Sequence, residues 1–296
     1  MPMGARRRGW RAAAGFAALL LAPGCGGETS APAAAEPAAQ SELQRAAVGL
    51  TERLESESFV FHFSPGDGAR IEVERSEAFH RWAIGYLGVT PPKKIDFYMF
   101  RSGEEMAAAF GYRFGGKAFP PEFAVATAYS WHNHECFHLY TSLVGTPPRI
   151  FAEGMVVAHE FDPYNDVWFS QWNRAEPYPE PHLVVAHRLM ADGLLYPIES
   201  ILASDDFNRR VDQETSTVAY EQAGAWVTYL VQTYGINRMK QTVSGIPYLA
   251  SRETVRSRFE AVYGVSLAEA EVAWLAWLDQ VQVPAPAAWS GHARIH

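Results

Sequence analysis

The spacing of apolar residues divides the chain into a mixed N-terminal part and a helical C-terminal part. Alternating apolar residues predict strands at Phe59–Phe63 and Ile95–Phe100, and the segment Ala69–Leu87 between them has helical spacing. This order indicates a crossover unit in a small sheet. Phe123–Tyr129 predicts another strand, the sheet edge that borders a cleft and to which an extended peptide could add. Helical spacing from Ser41 to about Ser56 predicts a short amphipathic helix.

Beyond residue 181, almost every apolar repeat has helical spacing. The predicted helices are His182–Leu195, Ser200–Phe207, Thr217–Tyr234, Ile236–Val243, Arg252–Tyr263 and Ser266–Gln282. The preceding segment, Asp162–Pro181, lacks periodicity but is rich in aromatic residues, which is typical of a packed loop. That loop could lie over a cleft or simply cover the core. The pattern predicts an α+β fold: a small β-sheet with helices N-terminally, then an all-helical C-terminal half.

The stretch Ser130–Val144 joins the two parts and contains the sequence H-E-x-x-H. Its apolar residues leave a polar stripe that includes both His134 and His138. Residues four apart lie on the same face of a helix, so the two imidazoles could share a metal ion. Glu135 is rotated by about 100° from His134, beside that position rather than on it. This is the arrangement in which a zinc-dependent hydrolase places two ligands and a general base.

A third ligand is needed to distinguish this pattern from a chance pentapeptide. One class of such enzymes has a histidine six residues after the second histidine, with an intervening glycine, but these positions hold Val144 and Thr141 here. The other class uses a glutamate from the next helix. Glu153 lies in the predicted helix Ile150–Glu160, which the turn Gly145–Arg149 folds back toward the motif. We therefore predict Glu153 as the third ligand, and we expect Gly154 to let the motif helix and this helix approach closely. An ordinary exposed acid is the alternative.

Four other residues near the motif are weaker candidates. His132 would lie on the opposite helix face from His134 and is expected at the surface or behind the ligands. His159 could lie near the metal, although a surface histidine is the simpler interpretation, and the same holds for His187. Cys136 is off the metal face and is expected to be a small buried apolar residue.

The first 25 residues have the features of an export signal. Four arginines precede an apolar run, Ala12–Ala22, which is too short to span a bilayer. The segment Leu21–Cys25 resembles a bacterial lipobox, in which the cysteine receives a lipid, although Ala22 stands where that motif prefers leucine. This resemblance implies lipidation of Cys25 and a membrane-anchored lipoprotein of the bacterial cell envelope; an ordinary secretory signal is the alternative. Residues 26–40 are predicted to be a flexible linker, 41–282 the folded domain and 283–296 a loose tail.

The charge and cysteine content narrow the range of partners. Removal of residues 1–24 removes four arginines and no acid, so the net charge changes from −8 to −12. An acidic chain is unsuited to nucleic acid or to electrostatic docking on anionic lipid, which leaves the lipid anchor as the expected membrane contact. With Cys25 lipidated, Cys136 has no partner, so no disulfide is expected.

The motif and its surroundings resemble the peptidase MA-like family of gluzincin metallopeptidases. The resemblance covers roughly residues 57–280. It rests on H-E-x-x-H, a proline-containing turn, the aromatic-x-E-G segment Phe151–Gly154, and the segments Ile95–Gly111, Ala219–Gly235 and Phe259–Trp274. It implies a zincin-like fold with the active-site helix between the sheet and the helical half. One departure is Val157, where thermolysin-like gluzincins have an aspartate that supports the ligands; Glu160 or Asp162 could substitute.

The resemblance implies hydrolysis of peptide bonds in peptide or protein substrates. His134, His138 and Glu153 would bind Zn²⁺, and Glu135 would take a proton from the zinc-bound water and pass it to the leaving amine. Tyr220, from a later helix, would stabilise the oxyanion, unless it is simply a buried tyrosine. Two alternatives remain open: a non-catalytic zincin-like envelope lipoprotein that binds peptide or glycan, and a structural protein in which the motif is coincidental.

Overall fold

A computed structural model describes residues 41–159, 181–213 and 216–281. These residues form a mixed α+β fold with a five-stranded sheet followed by helices. The strands are β1 (Glu52–Glu55), β2 (Phe59–Phe63), β3 (Ile95–Met99), β4 (Gly116–Phe119) and β5 (Ala124–Thr127). The N-terminal helices are α1 (Glu42–Ala46), α2 (Val73–Leu87) and α3 (Gly103–Phe110). They are followed by α4 (Asn133–Ser142), α5 (Arg149–His159), α6 (Pro181–Ala191), α7 (Ser204–Gln213), α8 (Ser216–Tyr234), α9 (Ile236–Ser244), α10 (Arg252–Tyr263) and α11 (Leu267–Leu278).

The sheet has the strand order β1-β2-β3-β5-β4. The three central strands are parallel, and α2 crosses between β2 and β3, so the crossover prediction is confirmed. The two outer strands are antiparallel to their neighbours. The prediction that Phe123–Tyr129 forms the edge is wrong: β5 is internal, and β4 is the edge strand next to it, with β1 at the opposite edge. Strand β4 was not predicted from the sequence, because it has only four residues and begins with a glycine, which is typical of a turn.

The predicted amphipathic helix from Ser41 to Ser56 is also wrong in its second half. Its first part is α1, with Ser41 accepting a hydrogen bond from the backbone N–H of Gln44. After a short 3₁₀ turn the chain extends into β1, whose four residues are all exposed. Leu54, which fitted the helical spacing, is 37% exposed. Pairing with β2 determines the conformation here, because a local apolar repeat is a weaker constraint than a sheet hydrogen-bond ladder.

Both faces of the sheet are covered by helices. One face presents the phenylalanines of β2 and the residue Phe97 to α2 and α4, where Phe79 and Phe137 are buried. The opposite face packs on α1 and α3 through Leu43 and Met106. Alternation of side chains along each strand explains why the two cores are separate. The first face fixes α4, the motif helix, against the sheet.

The helical half is built around the contact between α5 and α8. A Cβ added to Gly154 would lie 2.6 Å from the carbonyl oxygen of Ala223, and one added to Gly224 would lie 2.4 Å from Val157. The two glycines therefore allow the backbones of α5 and α8 to approach closely. Gly154 faces α8 rather than the motif helix, which corrects the expected role of this residue. On its other side α8 packs on α11, where Trp226 and Trp274 stack edge to face with ring centroids 5.6 Å apart.

Several sequence predictions fall outside the described residues. They are the export signal with Cys25, the linker at 26–40, Glu160 and Asp162 with the loop that follows them, and the tail at 283–296. Among the residues that are described, no single helix is long and apolar enough to cross a membrane. The adjacent helices α10 and α11 pass the length and composition test only when joined, and they meet at a 69° bend.

Candidate metal centre and active site

Three side chains from two consecutive helices converge at the surface of α4. His134 and His138 lie one turn apart on α4, and their Nε2 atoms are 3.3 Å apart. Glu153, on α5, places its Oε2 atom 3.5 Å from His134 Nε2 and 3.3 Å from His138 Nε2. The helix break at Val144–Pro148 turns α5 back so that its first turn and a half reaches the motif. The structure thus brings together the three predicted ligands, and the group is compatible with a metal ion.

The spacing of these atoms can be compared with known coordination geometry. In a tetrahedral site with metal–ligand distances of 2.0–2.1 Å, any two ligand atoms are about 3.3–3.4 Å apart. The three observed separations are 3.3, 3.3 and 3.5 Å. Three lone-pair-bearing atoms at these distances form one triangular face of a tetrahedron. The residues present therefore fit a four-coordinate metal with one position left for another ligand.

The charge and burial of Glu153 support the same assignment. The residue is 8% exposed, and Oε2 accepts no hydrogen bond. Burial alone would raise the pKa of this carboxyl, but the adjacent imidazoles of His138 and His134 hold the pKa well below its usual range. Glu153 is therefore a buried carboxylate whose Oε2 atom faces two imidazole nitrogens at 3.5 and 3.3 Å, and a cation held between these atoms would satisfy that oxygen.

Glu135 lies beside the three ligands and is held by the edge strand. Its Oε2 atom accepts a hydrogen bond of 2.8 Å from the backbone N–H of Ala118 in β4. A Cβ added to Gly116 would lie 2.7 Å from Glu135 Cγ and 2.2 Å from the His132 ring. The glycine at the start of β4 thus leaves room for the Glu135 side chain. One carboxylate oxygen is anchored, so the other is available to a proton donor in the cleft.

Tyr220 reaches the same site from α8. Its hydroxyl oxygen accepts a hydrogen bond from Arg149 Nη2. Burial raises the pKa of Tyr220, and the negative charge of Glu153 raises it further despite the nearby arginine. The phenol therefore keeps its proton at neutral pH and can act as a hydrogen-bond donor.

A cleft of about 500 Å³ opens over these residues. The edge strand and the motif helix line one side, through Ala118 and Glu135, and the helical half contributes Tyr220 and Tyr248. The volume is within the range of pockets that bind small molecules or short peptide segments. The candidate ligands, the candidate base and Tyr220 all line this one cleft.

The four weaker candidates are not part of the group formed by His134, His138 and Glu153. His132 is the residue just before α4, half-buried, with Nδ1 3.1 Å from Thr127 Oγ1. His159 contacts the Tyr86 hydroxyl and the Met155 carbonyl, and its ring packs against Phe137, so its expected surface position is wrong. His187 is half-buried on α6. Cys136 is a fully buried free cysteine, as expected.

The partner of the third ligand differs from what the resemblance implied. Val157, at the position of the expected aspartate, packs against Gly224. Arg149 takes the supporting role instead, with Nε donating to Glu153 Oε1 at 3.0 Å. Sequence reasoning missed Arg149, although its place four residues before Glu153 is the spacing of a helical ion pair. It also missed Asn208, which accepts a hydrogen bond from Arg149 across 59 residues, a separation that local patterns do not reveal.

Comparison of the chain with protein-family models finds no match, and comparison with curated proteins finds no match either.

Proposed function

We propose that this chain is a zinc-dependent metallopeptidase with a zincin-like fold. The observation that carries the proposal is the convergence of His134, His138 and Glu153 at the spacing of tetrahedral ligands. Two imidazoles and one carboxylate are a ligand set typical of catalytic zinc, which keeps one position open. The position of Glu135, next to these ligands but bonded to the edge strand, supports hydrolysis rather than a closed structural site.

Zinc bound there would act as a Lewis acid that polarises both water and a substrate carbonyl. Glu135 would accept a proton from the attacking water through the oxygen that Ala118 does not occupy. It would then donate that proton to the leaving amine. Tyr220, protonated and facing the cleft, would donate a hydrogen bond to the oxyanion that develops on the carbonyl. The short edge strand β4 would align an extended peptide across the cleft.

The proposal includes the place of action. The sequence features of residues 1–25 support export and lipidation at Cys25, so the substrates would be peptides or proteins of the bacterial cell envelope. The acidic chain argues against nucleic acid as a partner.

Substitution of the proposed base tests this function. The purified wild-type protein and the Glu135→Gln variant would be compared for zinc content and for hydrolysis of a broad peptide library. We expect equal zinc content and a fall in kcat of about 10²–10⁴-fold in the variant, the usual contribution of a general base. A folded, zinc-loaded wild type that cleaves none of the peptides would contradict the proposal and favour a protein that binds peptide or glycan without cleaving it.

A further inference from the structure

Arg149 is a half-buried side chain that lines the cleft. It is the first residue of α5, one turn before Glu153. Its backbone N–H donates to Ser204 Oγ at 3.1 Å, and the Ser204 hydroxyl donates to the Tyr248 carbonyl at 2.6 Å. The start of α5 is therefore fixed to α7 and to the cleft rim before the arginine side chain makes any contact.

The guanidinium of Arg149 donates hydrogen bonds to three side chains from three helices. Nε donates to Glu153 on α5 at 3.0 Å, and Nη1 donates to Asn208 Oδ1 on α7 at 2.6 Å. Nη2 donates to the Tyr220 hydroxyl on α8. The same group lies over the rings of Tyr220 and Phe207, with its central carbon 5.6 and 5.8 Å from the ring centroids. Because a guanidinium is planar and rigid, these contacts fix the relative positions of its partners.

The first consequence concerns the two oxygens of Glu153. Arg149 occupies Oε1, and Oε2 faces His134 and His138. The arginine therefore determines which oxygen is presented to a metal and favours coordination through that one atom. Residues that hold a ligand in this way typically influence metal affinity.

The second consequence concerns the proton of Tyr220. Arginine has no acceptor, so the phenol oxygen must accept in the contact with Nη2. The O–H of Tyr220 is then left to donate in another direction. A positive charge on the accepting side polarises the phenol and strengthens that donation.

We propose that Arg149 is a positioning residue that couples the metal ligand Glu153 to the oxyanion donor Tyr220, so that one side chain supports both metal binding and transition-state stabilisation. This inference rests on the proposed zinc hydrolase function. It makes Arg149 and its anchor Asn208 parts of the active site, although neither contacts the reacting atoms.

Two readouts test the coupling: zinc affinity, by competition with a chelator, and kcat at saturating zinc. The variants are Arg149→Met, which keeps the side-chain stem but has no donor, Tyr220→Phe, and the double variant. Arg149→Met should weaken zinc binding by about 10–100-fold. Tyr220→Phe should leave zinc affinity unchanged and lower kcat by about 10²–10³-fold. The kcat of the double variant should lie within about threefold of the kcat of Arg149→Met, because the effects of residues that act as a unit are not additive.

Matched variants separate this role from general effects of charge and folding. Arg256→Met removes an exposed arginine that pairs with Glu199, and it should change neither readout. Arg149→Lys keeps the positive charge but lacks the planar set of N–H donors of the guanidinium. Wild-type zinc affinity and kcat in this variant would therefore overturn the proposal. Unchanged zinc affinity in Arg149→Met, or fully additive losses in the double variant, would also overturn it.

Asn208→Ala provides the test if Arg149→Met does not fold. It removes one anchor of the guanidinium and leaves Glu153 and Tyr220 intact. We expect a loss of about 3–10-fold in both zinc affinity and kcat, less than for the arginine itself; no change in either contradicts the coupling. Wild-type protein that binds no zinc would refute the proposed function and the coupling together. Zinc binding without hydrolysis would refute only the peptidase function, and the zinc affinities would then decide the role of Arg149 toward Glu153.

Discussion

Two histidines of the candidate site and two buried histidines elsewhere differ in what their ring nitrogens contact. His159 donates from Nδ1 to the Met155 carbonyl and accepts from the Tyr86 hydroxyl, and His182 Nε2 lies 2.8 Å from Thr228 Oγ1. Burial lowers the pKa of His159 to about 4, although the hydrogen bond to the Met155 carbonyl opposes it, and burial with some repulsion from His159 lowers the pKa of His182 to about 3. In contrast, His134 and His138 face each other and a buried carboxylate. Burial of a histidine therefore does not by itself indicate a metal site; convergence of two imidazoles on a carboxylate oxygen is the arrangement that is compatible with a metal ion.

The largest expected effect separates the two pairs by activity. His138→Ala removes one of three ligands and should lower peptidase activity by about 10³-fold or more, because Lewis-acid stabilisation contributes several kcal/mol. His182→Gln keeps a donor for Thr228 and should leave kcat/KM within about threefold. The measurement is kcat/KM of both variants at saturating zinc. Equal losses in the two variants would mean that the core and site histidines do not differ in function.

A smaller effect is expected from the packing beside Glu135. Gly116→Ala places a methyl group against the His132 ring and Glu135 Cγ, so it should displace the base and lower kcat by about 10–100-fold. The adjacent Gly115→Ala is the matched control, since its methyl would meet only Tyr129 at an ordinary 4.0 Å. Zinc content should stay unchanged in both. Similar kcat values for the two variants would show that the position of Glu135 does not depend on this approach.

The last expected effect concerns stability in acid rather than catalysis. An unfolded histidine titrates near pH 6.5, whereas burial, with some repulsion from His159, lowers the pKa of His182 to about 3 in the folded protein. Below pH 6.5 the unfolded state takes up a proton that the folded state does not. Stability should therefore fall as the pH decreases from about 6.5 toward 3, by up to about 1.4 kcal/mol per pH unit for this histidine. In His182→Gln, the slope of unfolding free energy against pH should be shallower than in the wild type by that amount. A slope identical to that of the wild type would show that His182 is in contact with water.

Local patterns in the sequence predicted the ligands, while tertiary contacts determined their support. His134, His138 and Glu153 could be found because residues close together in the sequence reveal helical spacing and a proline-containing turn. Asn208 could not, since its contact with Arg149 joins α5 to α7 across 59 residues. Arg149 has one local signal, its position four residues before Glu153. The same distinction holds for the sheet. The crossover unit was predicted from long apolar repeats, but the edge strand β4 has four residues and only its pairing with β5 defines it.

Zinc stoichiometry tests the central claim most directly. Elemental analysis would be made on the purified wild-type chain after exposure to zinc and removal of excess metal, beside Glu153→Ala and His182→Gln. We predict one zinc per chain in the wild type and in His182→Gln, and weak or no retention in Glu153→Ala. A wild-type protein that retains no zinc, or a Glu153→Ala variant that retains it as tightly as the wild type, would contradict the three-ligand site.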